Sequence, residues 1–508
     1  RFYTNNAFGT VTYKFTPRFS LTAEVMHSHS LMQQPGGLTD SLLKADARQS
    51  VRSRNWMDIR WLTAALIANY QVSEKTRINT KLFLTSGDRN SVGFFPSNGL
   101  LTPDTILAST RAYAPRTVFV DQYRNYGFES RFITDYHLLG MNNTLSGGIR
   151  GFLGNTHRLN GGRGTTGTGY DLSVTAPFPI DIDYQTQNAA AFVENIFRIN
   201  EKILLIPGVR YEWLRTTVGG RNGFTGNGAE ILLQNQSRQR GLLLAGVGAE
   251  YHVTRNTEFY ANYSQAYRPM HFAELTMPVS VDVIDPNLAD ATGYNLDFGY
   301  RGKVRDWLQF DVSAFQLQYN NRVGTLTLRN TDGTSYRFVT NVGNSTSRGL
   351  ETYIEANLLR AFSRNSKADL ILFSSYGLTD ARYNSDHKLE NLRGKKVENA
   401  PRTIVRSGIT GGYKNYLLTA QVSHTGEVFS DANNTLLPTA NGQSGLIPSY
   451  TLVDLTATVK VNKNINLRTG VNNVFDQRYF TRRAGGYPGP GAMPGDGRIW
   501  FISIGAKF

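Results

Sequence analysis

The sequence predicts an all-β protein, a transmembrane antiparallel β-barrel with about nineteen strands present. Three observations predict it. Apolar and polar residues alternate over long stretches, the period of a half-buried strand. The connections between those stretches alternate too, one short and one long, as turns and loops do in outer-membrane barrels. Finally, no run suits a membrane helix: the most apolar stretches, around residues 61–68 and 242–247, fall far short of the roughly 18 residues required.

Composition narrows the classes. Charged residues make up only 18%, aromatic residues 12%, and Cys is absent. So few charges and so many rings exclude an extended disordered chain. The absence of Cys excludes a disulfide scaffold, a Cys-based zinc site, an iron–sulfur cluster and a thiol nucleophile. A length of 508 residues would suit several soluble domains, but a membrane barrel uses such a chain without a thick core. A mean hydropathy of −0.34 fits a barrel, because every second residue faces a wet lumen.

The elements follow in order. The first segment lies near residues 7–15, and short turns are expected near 16–18, 71–74, 138–140, 200–201, 254–255, 303–305, 415 and 462–464. Between them lie the long connections 30–57, 87–121, 154–182, 216–239, 268–291, 382–401, 430–449 and 481–497. The strand-like segments run about 10–16 residues, beyond the globular norm and long enough for a membrane strand. Phe259, Ala261 and Tyr263 oppose Glu258, Asn262 and Ser264. Tyr294, Leu296, Phe298 and Tyr300 oppose Asn295, Asp297 and Arg301. Val453, Leu455, Ala457 and Val459 oppose Asp454, Thr456, Thr458 and Lys460. Ile465, Leu467 and Val471 oppose Asn466, Arg468 and Asn472, and the last strand sets Trp500, Ile502, Ile504, Ala506 and Phe508 against Ser503, Gly505 and Lys507. A soluble sandwich alternates as well, but has no reason to sort its loops by length. An odd strand number conflicts with the even count of single-chain bacterial barrels, so the start of the barrel is expected to be missing from this chain.

The same residues carry a resemblance. The run Val471-Asn-Asn-Val-Phe-Asp-Gln-Arg-Tyr479 with a terminal strand ending in Phe508 is similar to the C-terminus of TonB-dependent outer-membrane receptors. Tyr263-Ser-Gln-Ala-Tyr-Arg-Pro269 and Asn341-Val-Gly-Asn-Ser-Thr-Ser-Arg-Gly-Leu-Glu351 resemble mid-barrel motifs of that superfamily. Four stretches resemble its ferric-citrate (iron dicitrate) receptor branch: Gln33-Gln-Pro-Gly-Gly-Leu-Thr-Asp40, Arg54-Asn-Trp56, Arg89-Asn-Ser-Val-Gly93 and Thr481-Arg-Arg-Ala-Gly-Gly-Tyr-Pro-Gly-Pro-Gly491. The resemblance implies a barrel of the 22-strand receptor type, with residues 1–508 as its C-terminal barrel portion and with the N-terminal plug and first strands missing. It also implies a monomer in the outer membrane of a Gram-negative bacterium, coupled to TonB-ExbB-ExbD through the missing plug region.

Lys and Arg number 54 against 39 Asp and Glu, a formal net charge of +15. Arg89, Arg111, Arg116, Arg158, Arg163, Arg221, Arg238, Arg240, Arg268, Arg482 and Arg483 lie in or beside the long connections. A cationic mouth gathers anions, and the Arg fork pairs with carboxylates through two parallel hydrogen bonds. The expected ligand-binding residues are Arg482 and Arg483, then Arg89 and Arg54, with Arg268 at the mouth and Gln34 offering an amide. An anionic ferric chelate such as ferric citrate is then the cargo, with no cofactor and no covalent chemistry. Another siderophore, cobalamin or a glycan as cargo, a passive porin-like channel, and a barrel enzyme or adhesin are the alternatives. Surface Arg residues also suit lipopolysaccharide phosphates, whereas no module for nucleic acid is present.

Weaker motifs carry less. Gly162-Arg-Gly-Thr-Thr-Gly167 fits a nucleotide-loop pattern but lacks a following helix. His27 and His29 share a strand face without a third ligand, so no metal site is assigned there. Asn142-Asn-Thr144 falls at a turn, and no G-x-S-x-G elbow occurs.

Overall fold

The computed structural model describes residues 1–508 except 96–101, 139, 271–281, 332, 364, 486–488 and 508. The expected contribution of Phe508 to the last strand therefore lies outside the described residues. The main sheet has twenty strands. Nineteen form an antiparallel meander: β1 (Phe2–Thr16), β2 (Phe19–Gln33), β3 (Trp56–Gln71), β4 (Thr76–Gly93), β5 (Thr117–Leu138), β6 (Met141–Arg163), β7 (Ile180–Arg198), β8 (Ile203–Phe224), β9 (Glu230–Thr254), β10 (Thr257–Arg268), β11 (Ala291–Val304), β12 (Leu308–Arg329), β13 (Ser335–Asn357), β14 (Ala368–Tyr383), β15 (Thr403–Tyr413), β16 (Tyr416–Thr425), β17 (Tyr450–Lys460), β18 (Ile465–Asn472) and β19 (Ile499–Ala506). The twentieth is a three-residue piece, Asp282–Ile284, running parallel to β13. Among the described residues the connections also hold three small two-stranded sheets and two short helices, α1 (Asp40–Ala45) and α2 (Leu358–Phe362).

The meander follows from local pairing. Each strand pairs with the next in the chain, so backbone donors and acceptors between the two outermost strands find neighbours without a crossover. Alternation then sorts the faces. Leu153, Tyr211, Leu243, Phe298 and Leu350 point outward and stay exposed, which makes an apolar band fit for lipid. Aromatic neighbours pack along it, with Phe259 stacked 6.0 Å from Phe298 and tilted 4.5 Å from Tyr300. The opposite face carries Glu129, Arg150, Arg210, Glu250 and Arg301, which line a polar interior groove.

Two expectations need correction. The strands run from 8 to 25 residues, and eight of the nineteen are longer than the roughly 10–16 that alternation suggested. They climb past the apolar band on the loop side. The long loop expected at 216–239 is mostly strand, because β8 and β9 stay paired up to Phe224↔Glu230. Secondly, the expected turns and loops omitted one pair of connections. A five-residue tip at 330–334 joins β12 to β13, and α2 fills the β13–β14 connection on the turn side.

Burial concentrates at the loop end. One apolar cluster holds Leu326, Val342, Ala381, Tyr383, Leu392, Val397 and Ala432; smaller ones centre on Ile182 and on Ile447 with Phe480. Mid-wall, both faces are open, and all of β1 is exposed. β1 pairs only with β2, and β19 only with β18.

Candidate functional site

The loops form a cap on the wall, and arginines hold it together. Arg54 is fully buried: Nε and Nη2 donate to the two carboxylate oxygens of Asp104 at 3.0 and 2.5 Å. Its remaining hydrogens reach the carbonyls of Thr166, Gly167 and Ala114, and its plane lies 4.2 Å from the Tyr113 ring. Arg116 ties the same loops through the Gly169 carbonyl at 2.6 Å and Thr165 Oγ1 at 3.0 Å. Burial lowers the Arg116 pKa and the adjacent Arg54 charge adds to it, with Asp171 and Asp104 opposing. Asp171 is held below the usual carboxylate range chiefly by the Ser173 N–H.

A second staple joins the first and last loops. Arg483 is buried and donates to both oxygens of Asp40 at 2.7 Å, and also to the carbonyls of Gly442 and Leu446. Arg48 Nη2 reaches both oxygens of Asp476, at 2.8 and 2.6 Å. Leu38 and Ala492 exchange backbone hydrogen bonds at 2.9 and 2.8 Å. The approach requires glycine: a Cβ on Gly491, whose φ is +123°, would stand 2.6 Å from the Leu38 carbonyl oxygen. These loops flank β1 and β19, so the cap spans the two open sheet edges.

Below the cap, one lumen-facing cluster stands out. Asp121 is buried and accepts from Arg158 Nε at 2.8 Å; Arg89 Nη1 lies 3.9 Å from it. The Tyr123 hydroxyl donates to Asp121 at 3.4 Å, and Trp61 lies 5.3 Å from the Tyr123 ring. Two guanidiniums face one carboxylate here, beside aromatic walls.

The six residues expected to bind ligand therefore separate. Arg54 and Arg483 are spent on Asp104 and Asp40. Arg89 is half-exposed on the lumen face. Arg482, on a small hairpin opposite Met493, is exposed. Arg268 ends β10, half-buried, and Gln34 follows β2 with its N–H on the Asn55 carbonyl. They do not converge on one point. Sequence reasoning missed Asp121, Tyr123 and Trp61; the signal available was that they continue the polar and aromatic alternation of β3 and β5 upward. Among the weaker motifs, Gly162 and Arg163 end β6 with no helix following among the described residues, and His29 pairs with Asp58 at 2.7 Å.

An apolar outer band, a polar inner face and tied loops at one end define a membrane-barrel wall with a built mouth. The chain belongs to the TonB dependent receptor-like β-barrel family, whose model matches residues 4–474. It is 24% identical over 335 residues to the metal-pseudopaline receptor CntO of Pseudomonas aeruginosa (strain UCBPP-PA14), covering 64% of this chain and 41% of that protein. It is 21% identical over 389 residues to the ferric-pyoverdine 358 receptor of Pseudomonas putida, covering 70% and 43%. The chain thus spans less than half the length of these relatives. Among solved structures, the unliganded ferric citrate transporter FecA superposes with a TM-score of 0.80 at 19% identity, covering 100% of this chain and 70% of that one. The siderophore receptor PiuA from Acinetobacter baumannii gives 0.75 at 15%, covering 100% and 74%. At these identities the likeness is one of fold.

Proposed function

We propose that this chain is the wall and mouth of an outer-membrane TonB-dependent receptor that takes up an anionic ferric chelate, iron(III) dicitrate being the cargo its charge suits. The observation that carries the reading is the lumen-facing pair Arg89 and Arg158 around a single Asp121, walled by Tyr123 and Trp61. The two guanidiniums stand at a place where field lines focus into a low-dielectric mouth. Exposed Arg482 extends the cationic rim outward. Arg268 and Gln34 contribute at its edges, whereas Arg54 and Arg483 act by holding the loops that shape it. Phosphates of lipopolysaccharide contact the outward-facing arginines.

The wall is proposed to close through further strands between β1 and β19, because an open edge in lipid leaves a row of backbone groups unpaired. A plug filling the lumen and linked to TonB completes the receptor. The working molecule is a monomer. Cargo lands on the rim, and TonB acting on the plug opens the lumen.

The test is binding by the full-length receptor. Replacing Arg89 and Arg482 with Ala together should weaken ferric dicitrate binding at least about tenfold, roughly 1.4 kcal/mol. Unchanged affinity would remove these residues from the site. A second reading, a chelate of another kind, draws support from the relatives, whose names carry pseudopaline, pyoverdine and rhizobactin. Tighter binding of a ferric siderophore than of ferric dicitrate would favour it.

A further inference from the structure

A different group of side chains stands far from the mouth, low on the lumen wall beside the β9–β10 turn. Glu250 and His252 lie two apart on β9, and Glu258 sits directly opposite His252 on β10. Strand geometry therefore puts all three on one face, while Tyr251, Val253 and Phe259 take the lipid side. All three are half-buried, and one ligand atom from each lies within 4.8 Å of the others.

The orientation of the carboxylates is what makes the group more than a charge cluster. Each glutamate divides its two oxygens between different neighbours. Oε1 of Glu258 accepts from Arg301 Nε at 2.7 Å, and Oε1 of Glu250 lies 3.5 Å from Arg301 Nη2. Oε2 of each turns to the imidazole instead, 3.3 Å from Nδ1 for Glu258 and 3.6 Å from Nε2 for Glu250. Arg301 is itself fixed, its guanidinium 4.8 Å over the Tyr260 ring, whose hydroxyl donates to Asp311 at 2.9 Å. Arg301 thus acts as an outer anchor for two carboxylates that flank one histidine, one at each ring nitrogen; outer-shell partners orient metal ligands in this way, and a metal on one nitrogen would take the carboxylate beside it and draw the other across. Two carboxylates share one fixed guanidinium here, so the histidine stands in an acidic setting suited to a cation.

We propose that Glu250, His252 and Glu258 form a lumenal binding site for a divalent first-row transition metal of the zinc or cobalt type. One imidazole and two carboxylates suit such an ion and disfavour a soft Cu(I). Bonds of about 2.0–2.2 Å would draw the three ligands closer together and leave a position open to the lumen. The site does not depend on the chelate reading: it sits on the wall and binds the bare ion.

The experiment uses the purified protein in detergent, titrated with Co2+ and with Zn2+. Wild-type protein should bind one Co2+ with a visible d–d spectrum, and Zn2+ should displace it. His252→Ala should weaken binding at least tenfold, and Glu258→Gln should do likewise. In wild-type protein, Zn2+ should also protect His252 from diethyl pyrocarbonate, read by peptide mass, with the other histidines as internal references. That measurement needs no variant to fold. Equal Co2+ binding by wild type and His252→Ala, or carbethoxylation of His252 indifferent to Zn2+, overturns the site.

Discussion

Arginines at the loop end of this wall do two different jobs, and substitution separates them. Arg54→Ala would take from Asp104, whose side chain is 3% exposed, the guanidinium that donates to both of its oxygens. Breaking a buried pair in this way costs about 3–5 kcal/mol, here of cap stability rather than of the wall. Arg482→Ala should change stability by less than about 0.5 kcal/mol, as exposed substitutions do. Hydrogen exchange of residues 104–116 and 164–170 would read the contrast. Asp476 offers a pH test. The Arg498 N–H first, then Arg48, hold its pKa below the ordinary value. A depressed carboxylate stabilises fully above its unfolded pKa of about 3.9 and loses that contribution as pH falls through the folded value. The tie between the first and last loops should therefore hold at pH 5 to 7 and loosen only below about 3.9, seen as faster exchange around Arg48. The sequence showed that arginines gather at the loops. It did not show which were spent, because Arg54 finds Asp104 fifty positions away and Arg483 finds Asp40 from the far end of the chain.

At the scale of the strand, the two faces obey different solvents. Val247 faces lipid and Asn262, one step away across the β9–β10 pair, faces the lumen. Val247→Arg should destabilise insertion by about 2–4 kcal/mol, whereas Asn262→Arg should be near neutral. Folding yield into bilayers, followed by heat-modifiable gel mobility, would compare them. Alternation made the strand number legible: about nineteen were expected from sequence, and nineteen form the meander. Strand ends were not legible where alternation stops. Gly219, Gly220 and Gly223 break the pattern in β8, yet the backbone goes on pairing with β9 because Gly220 and Gly223 adopt positive φ that a ladder irregularity accommodates. The β12–β13 tip was missed for the same reason: polar residues continue along both of its strands. At the candidate site, alternation announced polar inner faces but not the Asp121 cluster, which needs four strands in register.

For the whole molecule, the two free edges matter most. Backbone groups on the outer side of β1 have no partner among the described residues. Their amides should exchange rapidly in this chain by itself and become protected once closing strands are present. Equal exchange in both forms would mean that the wall does not close there. The cap, in contrast, already joins both edges through Leu38–Ala492, Asp40–Arg483 and Arg48–Asp476. That has a consequence for assembly. Residues 38–48 stand more than four hundred positions ahead of their partners, so the latch stays unthrown until the hairpin of β18 and β19 is inserted. A half-built protein presents a slack mouth, open to proteases in the space outside. Once those two strands are in the wall the rim can fasten, and the fastening records that they have arrived.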